Sequence, residues 1–141
     1  MPSVTINSKS LFYTIDEPPL GTTKSTTIFI HGLGSSSCFY KTITPSLRAF
    51  TRCISLDTPG SGLSSLGASE QSVSNIAKDA ISLLDALEIK EKVIVVGHSM
   101  GGIVPNYIAA EYQERVKAVI VLGPVNPAPG WRMYFRREFN L

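Results

Sequence analysis

The sequence predicts an α/β fold: a mostly parallel sheet that opens with an antiparallel hairpin and carries helices on both faces. Three observations predict it. Short β-branched runs at 26–30, 52–56, 93–96 and 116–122 alternate with longer segments whose apolar residues recur at helical spacing. Near the N-terminus, two such runs flank Asn7-Ser8-Lys9 and look like a hairpin pair around it. The last run, Val116 to Leu122, is almost continuously apolar, as strands become when helices cover both faces of a parallel sheet.

In order, Val4 to Ile6 and Leu11 to Ile15 form the hairpin, and Asp16-Glu17-Pro18-Pro19-Leu20-Gly21 is a loop. Thr26 to Ile30 is a strand that stops at His31-Gly32. Phe39 to Phe50 is expected as a helix with Ile43, Leu47 and Phe50 on one face, its start delayed by Pro45. Arg52 to Leu56 is the next strand and ends in the turn cluster Asp57 to Gly62. Ser72 is placed to cap a helix reaching about Glu88. Val73, Ile76, Ala77, Ala80, Leu84 and Leu87 form its core stripe, with Lys78, Asp79, Ser82 and Asp85 largely opposite. Val93 to Val96 is a strand and Met100 to about Tyr112 a helix. Pro105 within that helix costs about 3 kcal/mol in an interior turn and much less in the first turn, where its missing donor has no partner. Val116 to Leu122 follows with no further strand-like run behind it, so an exposed sheet edge is expected.

A chain of 141 residues supports one domain with a sizeable core. The net charge of +2 is too small to indicate a nucleic-acid partner, and only Arg132, Arg136 and Arg137 cluster. No basic stretch followed by a long apolar run opens the chain, and no apolar run approaches a membrane span, so no membrane partner is expected. Cys38 and Cys53 read as free, partly buried small hydrophobes in a reducing compartment, which places the chain in the cytoplasm. Neither has metal-ligand spacing, there is no His-Glu-x-x-His, and the glycines fit neither a dinucleotide fingerprint nor a phosphate loop. No metal or cofactor is expected.

The chemistry concentrates in Gly97-His98-Ser99-Met100-Gly101-Gly102, a Gly-x-Ser-x-Gly pattern between an apolar strand and a helix. At that position the pattern makes a turn so sharp that the serine is strained and its hydroxyl exposed. Gly97 and Gly101 flank it because strand and helix pass too close for a Cβ. His31-Gly32-Leu33-Gly34 closes an earlier strand, and its glycines let backbone approach a substrate. The N–H groups of Leu33 and Met100 are the expected oxyanion donors, with Ser99 the nucleophile. Neither histidine is expected as its base: His98 should point away across the turn, and His31 should brace the glycine loop. Asp57 is read as a turn builder whose carboxylate takes the N–H groups of Thr58 to Gly60. Glu111, Glu114 and Glu138, the carboxylates after the elbow, read as solvated surface positions.

With Asp57-Thr58-Pro59-Gly60-Ser61-Gly62-Leu63-Ser64, these motifs make the chain resemble the α/β-hydrolase superfamily over about Val4 to Pro124. Within it, the elbow and Leu122-Gly123-Pro124-Val125 are similar to the esterase and 3-oxoadipate enol-lactonase-like branch. The resemblance implies a nucleophile, then an acid, then a histidine in chain order. Ser99 matches the nucleophile, and no residue here matches the other two. Residues 1–124 are therefore expected as the N-terminal part of a truncated hydrolase core. Residues 125–141, with Trp131, Tyr134, Phe135 and Phe139, are expected as the start of a lid or an unrelated tail. The implied activity is cofactor-free hydrolysis of a small carboxylic ester or lactone, absent or very weak in the chain as written. The alternatives are a non-catalytic binding or dimerising module that self-associates through the edge strand, and a truncated gene product.

Overall fold

Asn7 and Ser8 turn the chain at φ of 50° and 63°, the left-handed pair that a two-residue hairpin needs to match the twist of its strands. They join β1 (Ser3–Ile6) to β2 (Lys9–Asp16). The computed structural model describes residues 2–19, 25–68 and 71–124. The lid-or-tail segment 125–141, including Trp131, Tyr134, Phe135 and Phe139, lies outside them.

After the hairpin come β3 (Thr26–Ile30), β4 (Arg52–Leu56), β5 (Val93–His98) and β6 (Val116–Leu122). The described strands form one sheet in the order β1-β2-β4-β3-β5-β6. β1 and β2 pair antiparallel, as do β2 and β4, and every other neighbour is parallel. Three of the four later strands carry the bounds their apolar runs predict, and β5 extends two residues further into the elbow.

Alternation splits the core between the two faces. Ile28, Ile30, Ile54, Leu56, Val93 and Val95 face one side, beneath α2 (Val73–Ala86) and α3 (Ile103–Glu111). Phe29, Cys53 and Val96 face the other, beneath Tyr40 and Leu47. Ser72 caps α2 by accepting from Asn75 N–H at 3.2 Å, as its position predicts. Pro105 is the third residue of α3, inside the first turn where an N–H has no partner within the helix, so it costs the helix none of its own hydrogen bonds.

Cys38, expected to be partly buried, is exposed because it lies on the outer side of a short turn, and two further expectations change. Phe39 to Phe50 is not one helix: a 3-10 turn spans Ser37–Tyr40 and a single α turn, α1, spans Thr44–Leu47, with Pro45 in its first turn. Ile43 and Phe50 are 42% and 73% exposed, so the expected stripe is not the buried one. Tyr40 and Thr44 fill that place, because the chain must bend sharply to remain over Phe29 and Cys53. Asp79 is the other case: instead of facing water from the polar side of α2, it is 1% exposed. Lys9 Nζ meets its Oδ2 at 2.5 Å, tying the hairpin to the helix across a buried ion pair.

β6 pairs only with β5 among the described strands, and every second residue from Ala118 onward is exposed. It is the sheet edge that the sequence predicts.

Candidate active site

β5 ends at His98, and the next residue, Ser99, sits at φ 55°. A serine gains nothing locally from that left-handed conformation, which is sparsely populated for residues with a Cβ. The turn is enforced from both sides. A Cβ on Gly97 would overlap the Gly101 carbonyl oxygen and come 2.7 Å from Pro105 Cγ. A Cβ on Gly101 would overlap the His31 carbonyl oxygen and lie 2.8 Å from that of Ile30. Strand, turn and helix therefore pass at backbone contact, and Ser99 absorbs the bend. A 3-10 turn, Ser99–Gly102, then leads straight into α3.

The glycine loop after β3 lies against this turn. A Cβ on Gly32 would stand 3.0 Å from Ser99 Cβ and 3.2 Å from His98 Nδ1, so close that the elbow would have to give way to admit it. Gly34 takes φ 69° with nothing around it, and Leu33 between the two glycines is 81% exposed. The sequence-predicted residues His31, Gly32, Leu33, Gly34, Gly97, His98, Ser99, Met100 and Gly101 are thus brought together at the C-terminal ends of neighbouring parallel strands β3 and β5.

Neither imidazole is hydrogen-bonded to Ser99 among the described residues. His31 is buried, its Nε2 accepting from Thr58 N–H at 3.1 Å and its Nδ1 lying 2.8 Å from the Gly32 carbonyl. Because a backbone N–H can only donate, Nε2 is the acceptor and Nδ1 carries the proton that it gives to Gly32. His31 so braces the glycine loop against the turn after β4. His98 stacks on Phe39, ring centroids 4.4 Å apart and planes 21° from parallel, and its Nδ1 is buried without a hydrogen-bond partner among the described residues.

Asp57 does build the turn, through other partners than the local N–H groups expected of it. Its Oδ1 accepts from Ser37 N–H at 2.6 Å and its Oδ2 from Leu63 N–H at 2.8 Å. A Cβ on Gly62 (φ 54°) would overlap the carboxylate, so that glycine makes room for it. Asp57 therefore staples the glycine-loop segment to the 57–64 loop from a site 1% exposed. Tyr40 adds a further tie, donating its hydroxyl to the Ile30 carbonyl at 2.9 Å while burial pushes its pKa up to about 12. Ser37, Thr58, Phe39 and Tyr40 carry no periodic signal that would have marked them. Only the resemblance of 57–64 to a family motif hinted that this loop supports the site.

Among the described residues no helix is long and apolar enough to cross a membrane. The carboxylates Glu111 and Glu114 are exposed at the far end of α3, as expected of solvated positions. The site is thus a strained serine under a glycine-rich backbone loop, the arrangement that acyl transfer uses to hold a reacting carbonyl.

Comparison with known proteins supports the fold and the family. Residues 27–138 match the model of the family described as alpha/beta hydrolase fold. A cis-3-alkyl-4-alkyloxetan-2-one decarboxylase from Shewanella oneidensis is 33% identical over 98 residues, covering 67% of this chain and 31% of that protein. A 2-hydroxy-6-oxo-6-phenylhexa-2,4-dienoate hydrolase from Comamonas testosteroni is 36% identical over 94 residues, 66% of this chain and 32% of its own. The solved enol-lactonase from Burkholderia xenovorans superposes with a TM-score of 0.77 at 24% identity, over 84% of this chain and 45% of that one, a likeness of fold. The chain spans about a third of the length of these two sequence relatives. With the elbow, the glycine loop and the parallel sheet order all in place, the chain belongs to the alpha/beta hydrolase fold family.

Proposed function

We propose that this chain carries the nucleophile half of a serine hydrolase acting on a carboxylic ester or lactone. The observation that carries this reading is Ser99 at φ 55° with Gly32 pressed against its Cβ. Ser99 Oγ would attack the carbonyl, and the N–H groups of Leu33 and Met100 would hold the oxygen as it gains charge. The hydrolase and enol-lactonase among the similar proteins support this class.

The proton on Ser99 needs a base, and the chain holds only two histidines. His31 has both ring nitrogens engaged, and His98 Nδ1 has no hydrogen-bond partner among the described residues, Ser99 included, so we assign neither the role. These 141 residues alone should therefore hydrolyse at best weakly, with a residual of about a thousand- to ten-thousandfold over water from binding and the oxyanion donors. Slow hydrolysis of an aryl acetate that Ser99→Ala abolishes is the expected result. A rate unchanged by Ser99→Ala would overturn the assignment, and a fast rate would show that a base outside the histidines is at work. Free Cys38 and Cys53 suit a reducing compartment such as the cytoplasm.

A second reading rests on β6, which pairs only with β5 among the described strands and whose alternate side chains are exposed. As a binding module, the chain would pair this edge with a second copy. Sedimentation showing a monomer at high concentration would remove it.

A further inference from the structure

Among the described residues, the segments at the sheet edge that carries Ser99 are rich in apolar side chains and offer no usable charge. Leu33 after β3, Leu63 after β4 and Leu122 at the end of β6 are all exposed at the C-terminal edge of the parallel strands. Leu122 lies beside His98 in the β5–β6 register, and Phe39 stacks on His98 with much of its own ring exposed. Four large apolar side chains are thus exposed at the sheet edge that carries the serine, from three different strand ends and one helical turn.

The same segments are poor in ions. Residues 31–39, 57–68, 97–102 and 122–124 contain no Lys, Arg or Glu, and Asp57 is the single Asp described in them. Asp57 is buried, with both carboxylate oxygens taken by Ser37 and Leu63 N–H groups, so it offers a substrate nothing. The nearest cation in sequence, Lys41, follows the 3-10 turn outside these segments. A carboxylate or ammonium on the acyl group would lose water against this surface and gain no partner, an unfavourable exchange. An alkyl chain would lose only water it sheds readily.

We propose that the acyl side of the site takes uncharged, apolar esters or lactones and rejects acyl groups that end in a charge. The proposal rests on the hydrolase reading above and names its substrate class.

Boronic acids test both ideas on the chain as it is. The Ser99 Oγ–B bond forms, the serine proton goes to solvent, and a tetrahedral boronate anion is left facing the Leu33 and Met100 N–H groups. Three probes suffice: butylboronic acid, and the two analogues in which its terminal methyl is replaced by a carboxylate or an ammonium. Binding is read from the amide resonances of Leu33 and Met100, with Ser99→Ala as control. The expected result is that butylboronic acid binds at least about tenfold tighter than either charged analogue. Equal or tighter binding of a charged analogue, still dependent on Ser99, would overturn the substrate class and leave the hydrolase reading standing. If no probe shifts those amides, or if the shifts survive Ser99→Ala, the hydrolase reading falls and takes this proposal with it.

Discussion

At Ser99 the backbone is held where an L-residue with a Cβ is strained, because Gly97 and Gly101 bring strand and helix into contact on either side. Such strain is worth about 1–3 kcal/mol, and glycine relieves it while adding about 0.5–1 kcal/mol of unfolded-state entropy. Ser99→Gly should therefore be more stable than Ser99→Ala by about 1 kcal/mol, since both lose the hydroxyl and only glycine loses the Cβ. Urea denaturation midpoints of the two variants check this, and an alanine variant of equal stability would mean that the turn is not strained. The same scale explains why His31 and Asp57 support the site without touching a reacting atom. Each uses a polar side chain to satisfy backbone N–H groups from two different loops, which fixes the loops relative to Ser99.

Among the elements, the hairpin and α2 are joined by the Lys9–Asp79 pair, both side chains almost fully buried. A Cβ on Gly67 would overlap the Lys9 side chain, so the 57–67 loop closes over the pair as well. Removing one partner leaves an uncompensated buried charge, whereas removing both leaves an apolar contact. Lys9→Met should cost about 3–5 kcal/mol, and adding Asp79→Leu should recover most of that loss. Denaturant titration of both variants measures it; equal destabilisation of the single and double variants would show that the charges are not coupled. Nothing local marks this pair: the two residues lie 70 positions apart, and Asp79 falls on the side of α2 that periodicity assigns to solvent. The strands were far more legible. Thr26–Ile30, Arg52–Leu56 and Val116–Leu122 begin and end where their β-branched runs do, because turn residues bound each of them. Phe39 to Phe50 was not legible, since its apolar spacing imitates a helix while Pro45 and the burial of Tyr40 divide it into two turns.

For the molecule as a whole, the two faces of the sheet differ in what they enclose. The face under α2 and α3 is mostly aliphatic, while the opposite face holds Phe29, Tyr40 and Cys53. Burial, helped by the charge of Asp16, pushes the Cys53 thiol from 9.0 up to about 11. A folded pKa raised above the unfolded value means that the folded chain holds the proton longer. The stability this contributes is complete below pH 9.0 and is lost as pH rises from there through about 11. Thermal melts across that range should fall steadily, and Cys53→Ser should flatten this part of the profile. At neutral pH, a thiol reagent should modify exposed Cys38 rapidly and Cys53 only after unfolding.

The sequence by itself determined the strands, the parallel crossovers and the identity of the strained serine. Each is a local rule, written in β-branched runs, crossover lengths and glycines on either side of one residue. The assembly of the site was decided only in three dimensions. Whether Gly32 would rest on Ser99, where the Asp57 carboxylate would find its donors, and what would occupy both nitrogens of His31 depend on loops from different strands meeting at one sheet edge. No pattern confined to one segment can encode such a meeting, because the Ser37–Asp57 and His31–Thr58 hydrogen bonds that define it join residues 20 and 27 positions apart, and Gly32 meets Ser99 from still further along the chain.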